Sequence, residues 1–155
     1  MTVPPVVQAV LVDTDVYSYL MKGGRPADIY RPHVEGKLVA ISFVTVGELY
    51  FGAYKRKWGP DKIANLTKRL RSTVIVPYDV EVCKRYAAIR AHLEAKGTPV
   101  AANDIWIAAC AIRHSIPLVS NNRAHFEVVP DLVLISEAPA VKELKAQKEM
   151  FEPSN

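Results

Sequence analysis

The chain has 155 residues, of which 50% are hydrophobic and 23% charged, enough for one domain with a full core. Its longest unbroken apolar stretch, Ile105 to Ile112, is too short to cross a bilayer, so no helical membrane span is expected. The net charge of +4 is unevenly spread: between Lys55 and Arg71 seven basic residues face the single acid Asp61, a local +6 that either solvates a helix face or attracts a polyanion.

In chain order, "MTVPPVVQAV" has two prolines and no basic leader, so no signal peptide is expected. The β-branched run Val10-Leu11-Val12 reads as a strand covered on both faces, about 8–12. Further strands are expected at about 38–41, 74–76, 117–119 and 132–135. Helical patterns fall between them at roughly 15–21, 26–35, 45–57, 60–72, 79–96 and 103–114. Pro60 and Asp61 mark one helix start, Asn103 is a candidate cap for another, and His125-Phe126 is expected to begin a short turn under the site. Strands alternating with helices predict a single α/β domain over residues 1–138 with a mainly parallel sheet. The remainder, 139–155, is a helix-permissive, weakly amphipathic tail, either frayed or held by a partner. Cys83 and Cys110 lack metal or redox spacing, as expected of free thiols in a cytosolic protein. His33, His92, His114 and His125 show no zinc spacing and read as surface or satisfied residues.

The carboxylates carry the chemical signal. "LVDTDVYSYL" ends a strand in Asp13 and Asp15, although capping the next helix needs only one such residue. Glu48 is expected in the first turn of the helix after strand 2, and Asp104 in the first turn of the helix before strand 4. In right-handed parallel α/β units, helix N-termini and strand C-termini share one sheet edge, where ligands bind. Asp13, Glu48 and Asp104 are therefore expected to converge there, joined by Ser120, Asn121 and Asn122 from "PLVSNNRAHF". Structural roles compete for each acid. Thr45 and Glu48 fit a capping box, and Asp104 complements a helix dipole. Gathered like charges nevertheless need an offset, and oxygen-only ligands select Mg²⁺ or Mn²⁺.

These residues bring a resemblance into view. "LVDTDVYSYL", "ISFVTVGELYFGA" and "YAAIRAHLEAKGTPVAANDIWIAACAIRHSIPLVSNNRAHFEVVPDL" are similar to PIN-domain ribonucleases, specifically the VapC-like toxins of bacterial and archaeal toxin–antitoxin pairs. The resemblance spans most of residues 8–135 and excludes the tail after Pro139. It implies a five-stranded sheet of order 3-2-1-4-5 flanked by helices, a homodimer, a cognate antitoxin and a cytoplasmic setting. It also implies Mg²⁺- or Mn²⁺-dependent hydrolysis of tRNA, rRNA or mRNA. The family's acidic positions fall on Asp13, Glu48 and Asp104, and its fourth, Asp or Asn, on Asn122 or Asn121. An amide at the fourth position leaves the choice between one and two metals open. Asp15, Thr45, Ser120 and Asn121 become supporting residues. Arg123 and the cluster containing Lys68, Arg69 and Arg71 become candidate phosphate contacts. Helical spacing puts Phe51, Tyr54 and Trp58 on one face beside Tyr50, a surface expected to accept an apolar antitoxin segment.

Two other readings stay open. "VLVDTDV" also fits the opening motif of haloacid-dehalogenase-like phosphatases, with Asp13 as nucleophile and Asp15 as general acid. That reading leaves Glu48 and Asp104 without a role and finds no paired acids after Ser120. An inactive RNA-binding module of the same fold finds support only in Asn122.

Overall fold

The structure, a computed structural model, describes residues 2–4 and 6–151. Met1 and Pro5 of the N-terminal segment and residues 152–155 of the tail lie outside the described residues. The elements run β1 (Ala9–Val12), α1 (Thr14–Lys22), α2 (Arg25–Val34), β2 (Leu38–Ser42), α3 (Phe43–Lys55), α4 (Pro60–Arg71) and β3 (Val74–Val76). They continue with α5 (Val80–Ala95), α6 (Ala102–Arg113), β4 (Leu118–Val119), α7 (Arg123–Phe126), β5 (Leu134–Ile135) and α8 (Ala138–Phe151). All four strand pairings are parallel and the sheet order is β3-β2-β1-β4-β5, as the resemblance implied.

Strand alternation sorts the apolar side chains into two layers. Leu11, Ala40 and Leu118, level with one another across the sheet, face one layer together with α5 and α6. Val10, Val12, Ile41 and Val119 face the other, under α1, α2, α4 and α8. Because both faces are covered, Val10, Leu11 and Val12 are all buried, which explains why β1 reads as an unbroken apolar run.

Local chemistry sets the element ends. Pro60 opens α4 after Gly59, and Gly97 takes a left-handed φ of 65° just after α5. Two starts differ from expectation. The Ser42 hydroxyl accepts from the Thr45 amide at 3.1 Å, so α3 begins at Phe43 and Glu48 lies in its second turn. Thr45 is not the cap and the capping box does not form. Helix α6 starts at Ala102, which places Asn103 inside its first turn, and Ala101 at the cap position offers no side-chain bond.

A third difference concerns Trp58. The α3 helix stops at Lys55, and Lys57 turns left-handed at φ 53° as the Trp58 amide bonds back to the Ala53 carbonyl. Trp58 therefore leaves the helical face and packs part-buried against the second layer, while Phe51 and Tyr54 stay exposed. The tail is ordered from Ala138 to Phe151 as α8, pinned by Val141 at 1% exposure. No helix among the described residues is long and apolar enough to cross a membrane.

Truncating the fully buried Ile107 to Ala is expected to cost about 2–5 kcal/mol, through lost contacts and the cavity left behind. Phe51→Ala, at a side chain 65% exposed, should stay within about 0.5 kcal/mol. Urea unfolding of the two variants checks the contrast; a large loss at Phe51 would mean that it packs as core.

Candidate active site

Asp13 is the last step of β1 before the chain turns into α1. Its backbone amide bonds the Val119 carbonyl, so the side chain emerges between β1 and β4. It is 5% exposed. One carboxylate oxygen accepts from the Thr14 amide and the other from the Ser120 hydroxyl at 2.7 Å. Ser120 is fully buried, and its oxygen also accepts from the Asn122 amide at 3.0 Å, tying the loop after β4 to the same carboxylate.

Glu48 reaches the site from the second turn of α3. The Thr14 hydroxyl lies 2.9 Å from Glu48 Oε1 and 3.0 Å from Thr45 Oγ1. A hydroxyl has one proton to give, so the carboxylate receives it and Thr45 can donate back to Thr14. Glu48 thus reads across to α1 rather than back along its own helix. Asp104, in the first turn of α6, lies 2.8 Å from His125 Nδ1 of α7, and the Asn122 side-chain amide lies 2.7 Å from the same nitrogen. Asp15 accepts from the Val16 amide at 2.7 Å and stays beside Asp13. Asn121 accepts from the buried Tyr30 hydroxyl at 2.7 Å.

The electrostatics record the crowding. Burial, then the neighbouring Asp15, pushes Asp13 up to about 7 against the two hydrogen bonds that hold it down, with Asp104 adding further repulsion. Burial also raises Asp15 and Glu48; for Glu48, bonds from Thr14 and Asn103 oppose the rise, and Asp104 and Asp15 add to it. Among the described residues none of these carboxylates is ion-paired to Lys or Arg. No three His, Cys, Asp or Glu side chains among the described residues are drawn onto a common point as a ready metal cluster. The carboxylates nevertheless offer an oxygen donor set with no Lys or Arg beside it, Asp13 buried and Asp15, Glu48 and Asp104 partly buried, and that chemistry fits a hard divalent cation.

Residues 10–132 match the PIN domain family, a stretch that takes in every side chain just described. The chain belongs to the PIN-domain family. It is 34% identical over 120 residues to the protein named Ribonuclease VapC2 of Haemophilus influenzae, covering 77% of this chain and 90% of that one. Identity to the tRNA(fMet)-specific endonuclease VapC of Salmonella typhimurium is 29% over 123 residues, covering 79% and 92%. The crystal structure of VapBC2 from Rickettsia felis bound to a promoter DNA fragment superposes with a TM-score of 0.73 at 25% identity, covering 83% and 98%.

Within this PIN domain the predicted side chains divide. Asp13, Asp15, Glu48 and Asp104 gather at the C-terminal sheet edge with Thr45, Ser120, Asn121 and Asn122. Arg123 adjoins them but is turned to Glu127 at 3.3 Å. Lys68, Arg69 and Arg71 do not join: they occupy the last turn of α4, which leads into the N-terminal end of β3. Two contributors escaped the sequence reading. Thr14 was hidden between two acids, and only its place at the first helical position marks it. His125 had no ligand spacing; its one signal is the three-residue separation from Asn122 on a helical turn.

Asp13 makes folding pH-dependent in a defined direction. Its folded-state value of about 7 lies above the ordinary 3.8, so the unfolded chain releases its proton first as pH rises. Stability contributed by the neutral form is therefore full below about pH 4 and lost as pH climbs towards 7. In chelating buffer, Asp13→Asn should melt higher than the parent at pH 8, with the gap closing at pH 4. Thermal melts at both values check this; equal melting at pH 8 would mean that the buried charge is already compensated.

Proposed function

We propose that this PIN domain is a divalent-metal-dependent endoribonuclease, the toxin of a toxin–antitoxin pair. One observation carries the reading: Asp13, Glu48 and Asp104 arrive from β1, α3 and α6 at one sheet edge with no Lys or Arg counter-charge among the described residues. The ribonuclease and tRNA endonuclease names of its relatives support the substrate class. Asp13, Glu48 and Asp104 are the residues to hold Mg²⁺ or Mn²⁺, with Asn122 a neutral fourth neighbour. When bound, such a cation shields phosphate charge and acidifies water. The protein's own groups do the positioning. Ser120 and the Thr14 amide fix both oxygens of Asp13, the Thr14 hydroxyl orients Glu48, and His125 orients Asp104. No nucleophilic side chain is required. The phosphatase reading gives way, since it leaves Glu48 and Asp104 idle beside Asp13.

For partners, VapBC complexes among the structural relatives support an antitoxin. Phe51 and Tyr54 form the apolar part of our proposed antitoxin surface, with Lys55 over the Phe51 ring at 5.9 Å; Tyr50, bonded to Thr67 and 6.1 Å from Tyr54, braces it, while Trp58 is turned away from it. A homodimer finds support in the exposed apolar strip Val74, Ile75, Tyr78 and Val80 along the β3 edge. We place the toxin in the cytoplasm, with its RNA substrate.

Asp13→Ala, Glu48→Ala and Asp104→Ala should each lower cleavage of labelled RNA by orders of magnitude, and chelation should do the same to the parent, reversed by Mg²⁺ or Mn²⁺. Cleavage by Asp104→Ala at the parental rate would sink the assignment. Separately, Phe51→Asp with Tyr54→Asp should weaken antitoxin binding at least tenfold, about 1.4 kcal/mol, with melting unchanged. Calorimetric titration reads this, and undiminished affinity would move the antitoxin elsewhere.

A further inference from the structure

The family match ends at Leu132, yet the chain builds one more helix, α8, beside the acidic edge. One face of that helix, Ala138, Val141, Lys142, Lys145 and Glu149 at helical spacings, looks across an open groove of about 330 Å³ to Asn121. Asn121 directly follows Ser120, the hydrogen-bond donor to Asp13, so the groove opens next to the site.

The helix is held at a set offset from the acids. Val141 is buried in the second core layer. The fully buried Tyr30 hydroxyl accepts from the Glu137 amide at 3.1 Å while donating to Asn121, and the Glu137 carboxylate meets His33 at 2.9 Å. Lys142 and Lys145 stand exposed on this anchored element, with no ion-pair partner among the described residues. Cations are needed here. An RNA strand entering a cleft of carboxylates is repelled along its flanking phosphates, and the Lys68–Arg71 cluster lies at the opposite end of β3 from that edge.

We propose that Lys142 and Lys145 bind RNA phosphates flanking the cleaved bond, with Asn121 as the polar end of the groove nearest the acids. The proposal rests on the endoribonuclease reading and names where its substrate lies. Phosphate contacts of this kind set register and affinity and carry no base preference.

The test reverses both charges, Lys142→Glu with Lys145→Glu, in the inactive Asp13→Ala background. Binding of a fluorescein-labelled tRNA mixture is followed by anisotropy from 50 to 300 mM salt. The double reversal should weaken affinity about tenfold and flatten the log–log salt slope by roughly 1.5, the release expected for two lost phosphate contacts. Reversing Lys68, Arg69 and Arg71 instead should change the slope less. In the active protein, the Lys142/Lys145 reversal should raise KM more than it lowers kcat, with melting unchanged. RNA binding by the Asp13→Ala protein that the double reversal leaves unaltered would overturn this inference alone, leaving the groove to a protein segment. Failure of the Asp13→Ala protein to bind RNA at all would overturn the endoribonuclease reading with it.

Discussion

The molecule is organised around a carboxylate that the fold buries without giving it a counter-charge. Asp13 ends a strand whose two faces are both covered, and β4 lies alongside, so its side chain has almost no water. Two donors satisfy its oxygens, yet Asp15 and Asp104 crowd the same edge and raise its pKa further. The surrounding core carries this cost because it is filled on both sides of the sheet, with Leu11, Leu118 and Ile107 fully buried on one and Val12, Ile41 and Val119 on the other. Local electrostatic strain at a site, held by packing elsewhere, is the usual relation between stability and function.

The parallel sheet explains why acids from distant parts of the chain meet. β1 and β2 deliver their C-termini, and α1 and α3 after them their N-termini, to one edge, while α6, antiparallel to α5, brings its own N-terminus there before β4. The N-termini of α1, α3 and α6 also bring partial positive charge to that edge, which softens the repulsion without removing it. Hydroxyls then join the elements: Thr14 links α1 to α3, and Ser120 links β4 to β1. Tyr30 extends the linkage outward. Burial pushes its hydroxyl up to about 12, so it stays protonated and bonds both Asn121 and the entrance to α8. The added helix is thereby coupled to the site rather than appended to it.

Elsewhere the aromatic residues show how context divides one pattern into different roles. Trp106, Tyr86 and Phe43 stack or meet edge-on between α3, α5 and α6, and Tyr78 leans on Phe43 while staying largely exposed. Tyr50 and Tyr54 lie 6.1 Å apart on α3, one tied to α4 through Thr67 and the other open to solvent. Burial rather than ring chemistry decides which of them structures the core and which remains available to a partner.

Local pattern was enough to read much of this protein. The apolar run at Val10–Val12, the Gly59-Pro60 start and the Gly97 stop are dictated by the residues themselves, because strand burial and capping act over a few positions. Parallel connectivity then places Asp13, Glu48 and Asp104 at one edge. Tertiary structure decided what depends on partners far along the chain. Ser42 outcompeted Thr45 as the cap of α3, and the left-handed turn at Lys57 swung Trp58 away from Phe51 and Tyr54. The position of α4 took Lys68, Arg69 and Arg71 to the other end of β3, and Tyr30 and Val141 brought α8 against the site. Spacing along a helix says which residues share a face, but only packing and long-range hydrogen bonds determine what that face meets.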